Sequence, residues 1–244
     1  MTAFWISGAT CMITFSGGIL ALQLQAYRGL VLAFCAGALV AGALMDVIPD
    51  ALQLLESTHS RFHHHHLLLA CSLGFLFFYV LEHATHDSET GEHVSGRSYI
   101  QQAGAWGAVG ISVHSFFDGL AIGEAFQAGS EIGWIVALAV LLHKFADGVS
   151  TVGIMLGTKQ SPQATTTMLS VAALAPLGGV VTQSAVVIPV PLLALSLGWF
   201  AGIFLYLGAS SLLPAAHESS DSRWLPLVTL AGATFVYFAQ SLVE

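Results

Sequence analysis

The sequence predicts an all-α membrane protein, eight transmembrane helices in one bundle, on three observations. Hydrophobic residues make up 55% of the chain and charged residues only 8%, where an ordinary globular domain has about 25% charged. The apolar residues gather into runs of about 20, the length at which a helix crosses the hydrocarbon of a bilayer. No stretch alternates polar with apolar over about 10 residues, as the strands of a membrane barrel do.

The runs fall at 3–24, 30–54, 67–85, 99–127, 131–157, 163–183, 187–212 and 224–243. The first has neither a basic leader nor an Ala-x-Ala motif, so it reads as a retained helix and not a signal peptide. The second and seventh end in related stretches, Gly42-Ala-Leu-Met-Asp46-Val-Ile-Pro49-Asp50 and Gly208-Ala-Ser-Ser-Leu-Leu-Pro214-Ala-Ala-His-Glu218. Five spans separate these two, so they run in opposite directions, as in a transporter built from inverted repeats. The fourth and fifth are also alike, each with His-x-Phe-x-Asp-Gly at its middle, and the short turn around Gln127 to Glu131 makes them an antiparallel hairpin. No Pro/Ser-rich linker divides the chain, which reads as a single transmembrane domain over residues 1–244.

Six basic residues orient the bundle. Arg28, Arg97, Lys159 and Arg223 occupy alternate loops and Arg61 alone an opposite one, which places both termini outside the cytoplasm. Cys11, Cys35 and Cys71 lie inside spans without CxxC spacing and read as small buried hydrophobes. The net charge of -8 itself says little about nucleic acid, but a basic binding face is absent and no nucleic-acid partner is expected.

The chemistry concentrates in the hairpin. His114-Ser-Phe-Phe-Asp118-Gly119 and His143-Lys-Phe-Ala-Asp147-Gly148 each put an imidazole and a carboxylate four residues apart, on one face of a helix. Ionisable groups at bilayer depth cost about 2.5 to 3.5 kcal/mol each, so they persist where they have a partner or a function. Imidazole nitrogen and carboxylate oxygen are donors for Zn²⁺ and other borderline divalent ions. His114, Asp118, His143 and Asp147 satisfy a tetrahedral ion and leave the complex formally neutral. Without thiolate the site binds loosely enough to suit a passing cargo. The competing reading, a hydrogen-bonded contact between helices, explains one pair better than two matched ones.

These residues resemble a known family. His114-Ser115-Phe-Phe-Asp-Gly119-Leu-Ala-Ile-Gly123 fits the HSxxxGxxxG signature of the ZIP (Zrt/Irt-like) metal transporters, and His143-Lys144 followed by an acid and Gly resembles its fifth-span motif. Leu44-Met-Asp46-Val-Ile-Pro49-Asp50 is similar to the family's LLHLLPEA, and Phe204-Leu-Tyr206 through Leu213-Pro214 to its seventh-span motif. The resemblance implies an eight-span bundle with both termini outside, a homodimer, and an elevator-like movement of spans 1, 4, 5 and 6 against spans 2, 3, 7 and 8. Asp118 and Asp147 stand where the family usually has Glu. Ala175 stands where some relatives carry a Glu for a second ion, and Lys144 where others have a neutral ligand. One metal is therefore expected, with the Lys144 ammonium near the place of the second. Ser115 is expected to support the site, and Lys144, three residues from Asp147, to neutralise it when empty.

Asp46 falls where the family often has His, near the outer end of the second span, and reads as a solvated helix-terminal acid rather than a ligand. With Asp50 and Glu124 it is expected to form an acidic mouth that attracts cations. His63, His64, His65 and His66 lie in an outer loop and suit loose divalent binding. The inner loop carries Glu82, His83, His86, Asp87, Glu89, Glu92 and His93; it resembles a shortened form of the family's His-rich cytoplasmic loop, with His83, His86 and His93 as exit-side acceptors.

The function expected is secondary transport of Zn²⁺, or of Fe²⁺, Mn²⁺ or Cd²⁺, as substrate, into the cytoplasm by a multi-pass protein of the plasma or inner membrane. The partners are the ion, the lipid bilayer and a second copy of the chain. A membrane-embedded zinc-dependent hydrolase and a fixed-metal sensor are the alternatives; HExxH is absent and no spare acid beside the pairs suggests a general base.

Overall fold

The structure, a computed structural model, describes residues 1–56, 61–87, 97–186 and 188–242. Those residues form helices and no strand: α1 (Thr2–Gln23), α2 (Gln25–Glu56), α3 (His64–Asp87), α4 (Arg97–Ala128), α5 (Ser130–Gly157), α6 (Pro162–Gln183), α7 (Val190–Ser219) and α8 (Leu225–Ser241). Among the described residues α1 to α7 contain segments long and apolar enough to cross a membrane, and α8, with 17 residues, is at the lower limit of that length. The burial pattern suits lipid. Trp5, Met12, Leu76, Phe77, Leu230 and Phe238 face outward, whereas Thr10, Thr14, His114 and Lys144 are inside.

α2 and α7 share an irregularity. Residues Ala43–Val47 and Leu207–Leu212 are π-helical, and each stretch ends just before a proline, Pro49 and Pro214. Proline lacks the N–H for the usual bond to the fourth residue back and its ring crowds that carbonyl, so widening the turn lets the helix continue. Continuation past Pro214 carries α7 to Ser219, seven residues beyond the run expected to end at 212. The two helices are antiparallel: Arg28, at the start of α2, donates to Ser219 Oγ at the end of α7 at 3.1 Å.

Helix ends follow local chemistry. Ser161 accepts the Ala164 N–H at 3.1 Å and Pro162 supplies a preset first turn to α6. α5 ends with Lys159 in the left-handed region (φ 56°), the Gln160 N–H reaching Met155 O at 2.9 Å and the Lys159 N–H reaching Leu156 O at 3.1 Å.

Packing sorts the helices into two groups, α1, α4, α5 and α6 against α2, α3, α7 and α8. The most extensive pairings, α2–α7, α4–α6, α1–α5, α2–α8 and α3–α7, all lie within a group. The last four are each made by reciprocal glycines. A Cβ on Gly17 would overlap the Phe145 carbonyl and one on Gly148 that of Thr14; Gly119 and Gly179 do the same between α4 and α6, Gly37 and Gly232 between α2 and α8, and Gly74 and Gly202 between α3 and α7. Small residues let helix backbones touch where lipid gives no hydrophobic drive to associate. Exchanging α1 with α6, α2 with α7, α3 with α8 and α4 with α5 maps the four pairs onto one another and the two π turns onto each other. Facing the other group, Gly107, Gly110, Gly153 and Gly157 meet only side-chain atoms.

Candidate metal centre

The Asp-Gly step in each hairpin motif ties chemistry to packing. Gly119 follows Asp118 and seats α4 on the Pro176 carbonyl of α6, while Gly148 follows Asp147 and seats α5 on the Thr14 carbonyl of α1. The backbone that aims each carboxylate is thus held by a neighbouring helix. One donor atom from each of His114, Asp118, His143 and Asp147 lies within 4.8 Å of the other three. Asp118 Oδ2 is the hub, 3.5 Å from His114 Nε2 and 3.6 Å from His143 Nε2. His114 is held edge-on against Phe204, ring centroids 4.9 Å apart.

Lys144 enters the same cluster. Its side chain is 0% exposed, and its ammonium donates to Ser115 Oγ at 2.9 Å, to Asp147 Oδ2 at 2.6 Å and to Asp118 Oδ2. The lysine therefore bridges both carboxylates instead of pairing with Asp147 alone, and Ser115 fixes its third proton. His114 Nδ1 is buried without a hydrogen-bond partner, and the two ring nitrogens of His143 face Asp46 Oδ2 at 3.2 Å and Asp118 Oδ2 at 3.6 Å without hydrogen-bond geometry. Such orphaned groups cost about 1 to 3 kcal/mol each when nothing satisfies them. Two imidazole nitrogens and two carboxylate oxygens form a donor set for a borderline divalent ion, and an ion taking Asp118 Oδ2 must displace the ammonium from it.

Asp46 corrects the sequence reading. It is not a solvated helix-terminal acid: it is 4% exposed, inside the π turn of α2, with Oδ2 3.2 Å from His143 Nδ1. The signal that could have found it is Pro49, three residues on, because the widened turn before a proline re-aims the side chains it contains. Asp46 Oδ1 also lacks a hydrogen-bond partner.

A cavity of about 500 Å³ reaches the cluster, lined by Asp46, Asp50, Gln53, His114, Phe117, Asp118, Val140, His143 and Gln240 among others. It opens at the end of the bundle where the chain starts, since Ile6 packs against Val140 and Ile122 there, and where α8 finishes. Asp50 lines it as an acidic mouth requires. Glu124 is half-buried and not among the lining residues; six residues on from Asp118 it lies about 9 Å further along α4. Below, the space beside Asp147 narrows to about 20 Å³ against Leu39, Phe204 and Val236, room for about one water. A separate cavity of about 340 Å³ at the opposite end, lined by Arg28, Glu82, Lys159, Ser211 and Glu218, shares no residue with the first.

The loop histidines are elsewhere, and differently employed. His64, His65 and His66 form the first turn of α3 instead of a shapeless loop, because His66 Nδ1 accepts the His63 N–H at 3.1 Å, an N-terminal cap. The His65 and His66 rings lie tilted against each other with centroids 4.0 Å apart, and His64 Nε2 is 3.0 Å from Glu56 Oε1. At the other end of α3, His83 stacks on Tyr79 and Glu82 accepts from Ser211 at 3.5 Å, so both belong to the helix and not to the inner loop. His86 continues that helix, its side chain outside the described residues, as are Glu89, Glu92 and His93. Cys11, Cys35 and Cys71 are free and buried, as expected.

Comparison with known proteins gives the same answer as the motifs. Zinc transporter zipt-7.1 of Caenorhabditis briggsae is 30% identical over 153 residues, 61% of this chain and 39% of its own length. Zinc transporter ZIP4 is 30% identical over 141 residues in both Homo sapiens and Mus musculus, 56% of this chain and 22% and 21% of the relatives. The chain thus spans about two fifths or less of the curated relatives it matches. The sequence model of the ZIP zinc transporter family matches residues 86–238. That match takes in α4 and α5 with all four donors and covers well over half of the chain, which therefore belongs to the ZIP zinc transporter family, a family of transporters and not enzymes.

Proposed function

We propose that the chain is a homodimeric secondary transporter that moves Zn²⁺, or a related ion such as Fe²⁺, Mn²⁺ or Cd²⁺, from outside into the cytoplasm across the plasma or inner membrane. His114, Asp118, His143 and Asp147 exchange the ion's waters for protein donors at mid-membrane. The observation that carries this reading is the convergence of those four donors, within 4.8 Å of one another, with His114, Asp118 and His143 lining a cavity open to one face of the bundle. With both termini outside, as the distribution of Lys and Arg favours, that cavity is the extracytoplasmic approach, and Asp50 lends it negative potential. The relatives are zinc transporters by name, which favours zinc among the candidate ions.

The proposal extends to movement. A single domain of inverted repeats, with α1, α4, α5 and α6 sliding past α2, α3, α7 and α8 in an elevator-like exchange, is supported by the backbone contacts confined to each group and by the two matching π turns. All four donors ride on one group. The test is uptake of Zn²⁺ or Cd²⁺ into proteoliposomes. Wild type transports well above the liposome background and His143→Ala falls to it; equal background flux from both sinks the proposal.

A further inference from the structure

Lys144 is the only buried residue among the described lysines and arginines. Resting on the transport reading above, we infer that its ammonium is a travelling counter-cation which lets the emptied carrier return. The reason is charge. With the imidazoles of His114 and His143 counted in the neutral form that ligates metal, the buried charges of the α1, α4, α5 and α6 group among the described residues are Asp118, Asp147 and Lys144, whereas Asp46 belongs to α2 in the other group. With the lysine, the group formally carries one net negative charge when empty and one net positive charge with a divalent ion. Without it, the loaded group is neutral and the empty one doubly negative.

The cost of carrying charge through a low-dielectric barrier grows as its square. A neutral residue at 144 would therefore make the loaded stroke easier and the empty stroke about four times costlier in that term. Lys144 evens the two strokes. Its geometry fits this role, because when the ion leaves, Nζ can span Asp118 Oδ2 and Asp147 Oδ2 while Ser115 Oγ, 2.9 Å away, holds the third proton. The two carboxylates then cross with a hydrogen-bonded partner and not as bare anions.

Net uptake and exchange separate this role from a structural one. Net uptake into metal-free proteoliposomes needs the empty return; exchange of Cd²⁺ against internal Cd²⁺ uses only the loaded stroke. Lys144→Met is expected to lower net uptake roughly tenfold or more while exchange stays within about threefold of wild type. Lys144→Arg, which keeps the charge, restores the ratio. Preserved exchange also certifies that the variant is folded and binds ion. Loss of both fluxes in the same proportion, or of neither, overturns the inference. Wild type without exchange above background would instead overturn the transport reading on which it rests.

Discussion

Within each helix group the backbones touch, carbonyl against glycine Cα; between the groups contact at the glycines is by side-chain atoms. Gly232 sits on the Phe34 carbonyl, which has nowhere to go, whereas Gly157 and Gly153 meet the Leu32 side chain and Cys35 Sγ, which can turn aside. The contrast yields two stiff bodies that share a compliant surface. The donor cluster lies on one of them, with Asp46 facing it from the other.

The largest expected effect comes from adding bulk to a backbone contact. Gly232→Val, far from the donors, should destabilise the fold by about 3 kcal/mol, the upper end for overpacking, and lose most of the monodisperse yield in detergent. A thermal midpoint equal to wild type would mean that these seams yield as readily as the surface between the groups. The next effect concerns the surface itself. A Cβ on Gly153 would stand 3.6 Å from Cys35 Cβ, inside the range for a disulfide. Gly153→Cys should therefore cross-link to the native Cys35 on oxidation, abolish uptake, and recover it on reduction, while a Gly153→Cys, Cys35→Ser double variant ignores the oxidant. Full uptake by the cross-linked protein would break the two-body description. The smallest effect is that of Gly157→Ala. The gain in helix propensity, about 1 kcal/mol, offsets the shift imposed on Leu32, so the thermal midpoint should stay within a few degrees of wild type.

The spans and the hairpin were legible because apolar run length and the i, i+4 spacing of His and Asp are local facts. The misreadings arose where a local rule met a neighbour. Pro214 suggests a helix end, yet the π turn before it carries α7 onward to Ser219, and the matching π turn of α2 turns Asp46 inward. The His63 to His66 tract looked like loose loop chemistry, yet His66 caps α3. That Gly119 and Gly148 each fix the aspartate before them depends on carbonyls of α6 and α1, which no single segment encodes. Lys144 was expected beside Asp147, but its second carboxylate lies across the hairpin.

Asp46 has a thermodynamic consequence. In the proposed cycle the inner ligands travel as a set, so the ion meets the same coordination sphere at either face of the membrane, and that sphere alone binds it equally at both. In that cycle Asp46 would stay behind on α2, 3.2 Å from His143 in this conformation, so its carboxylate would act on the site at one face only. Its effect would be on the external concentration at which the carrier is half-filled, with direction left to the electrochemical gradient of the ion.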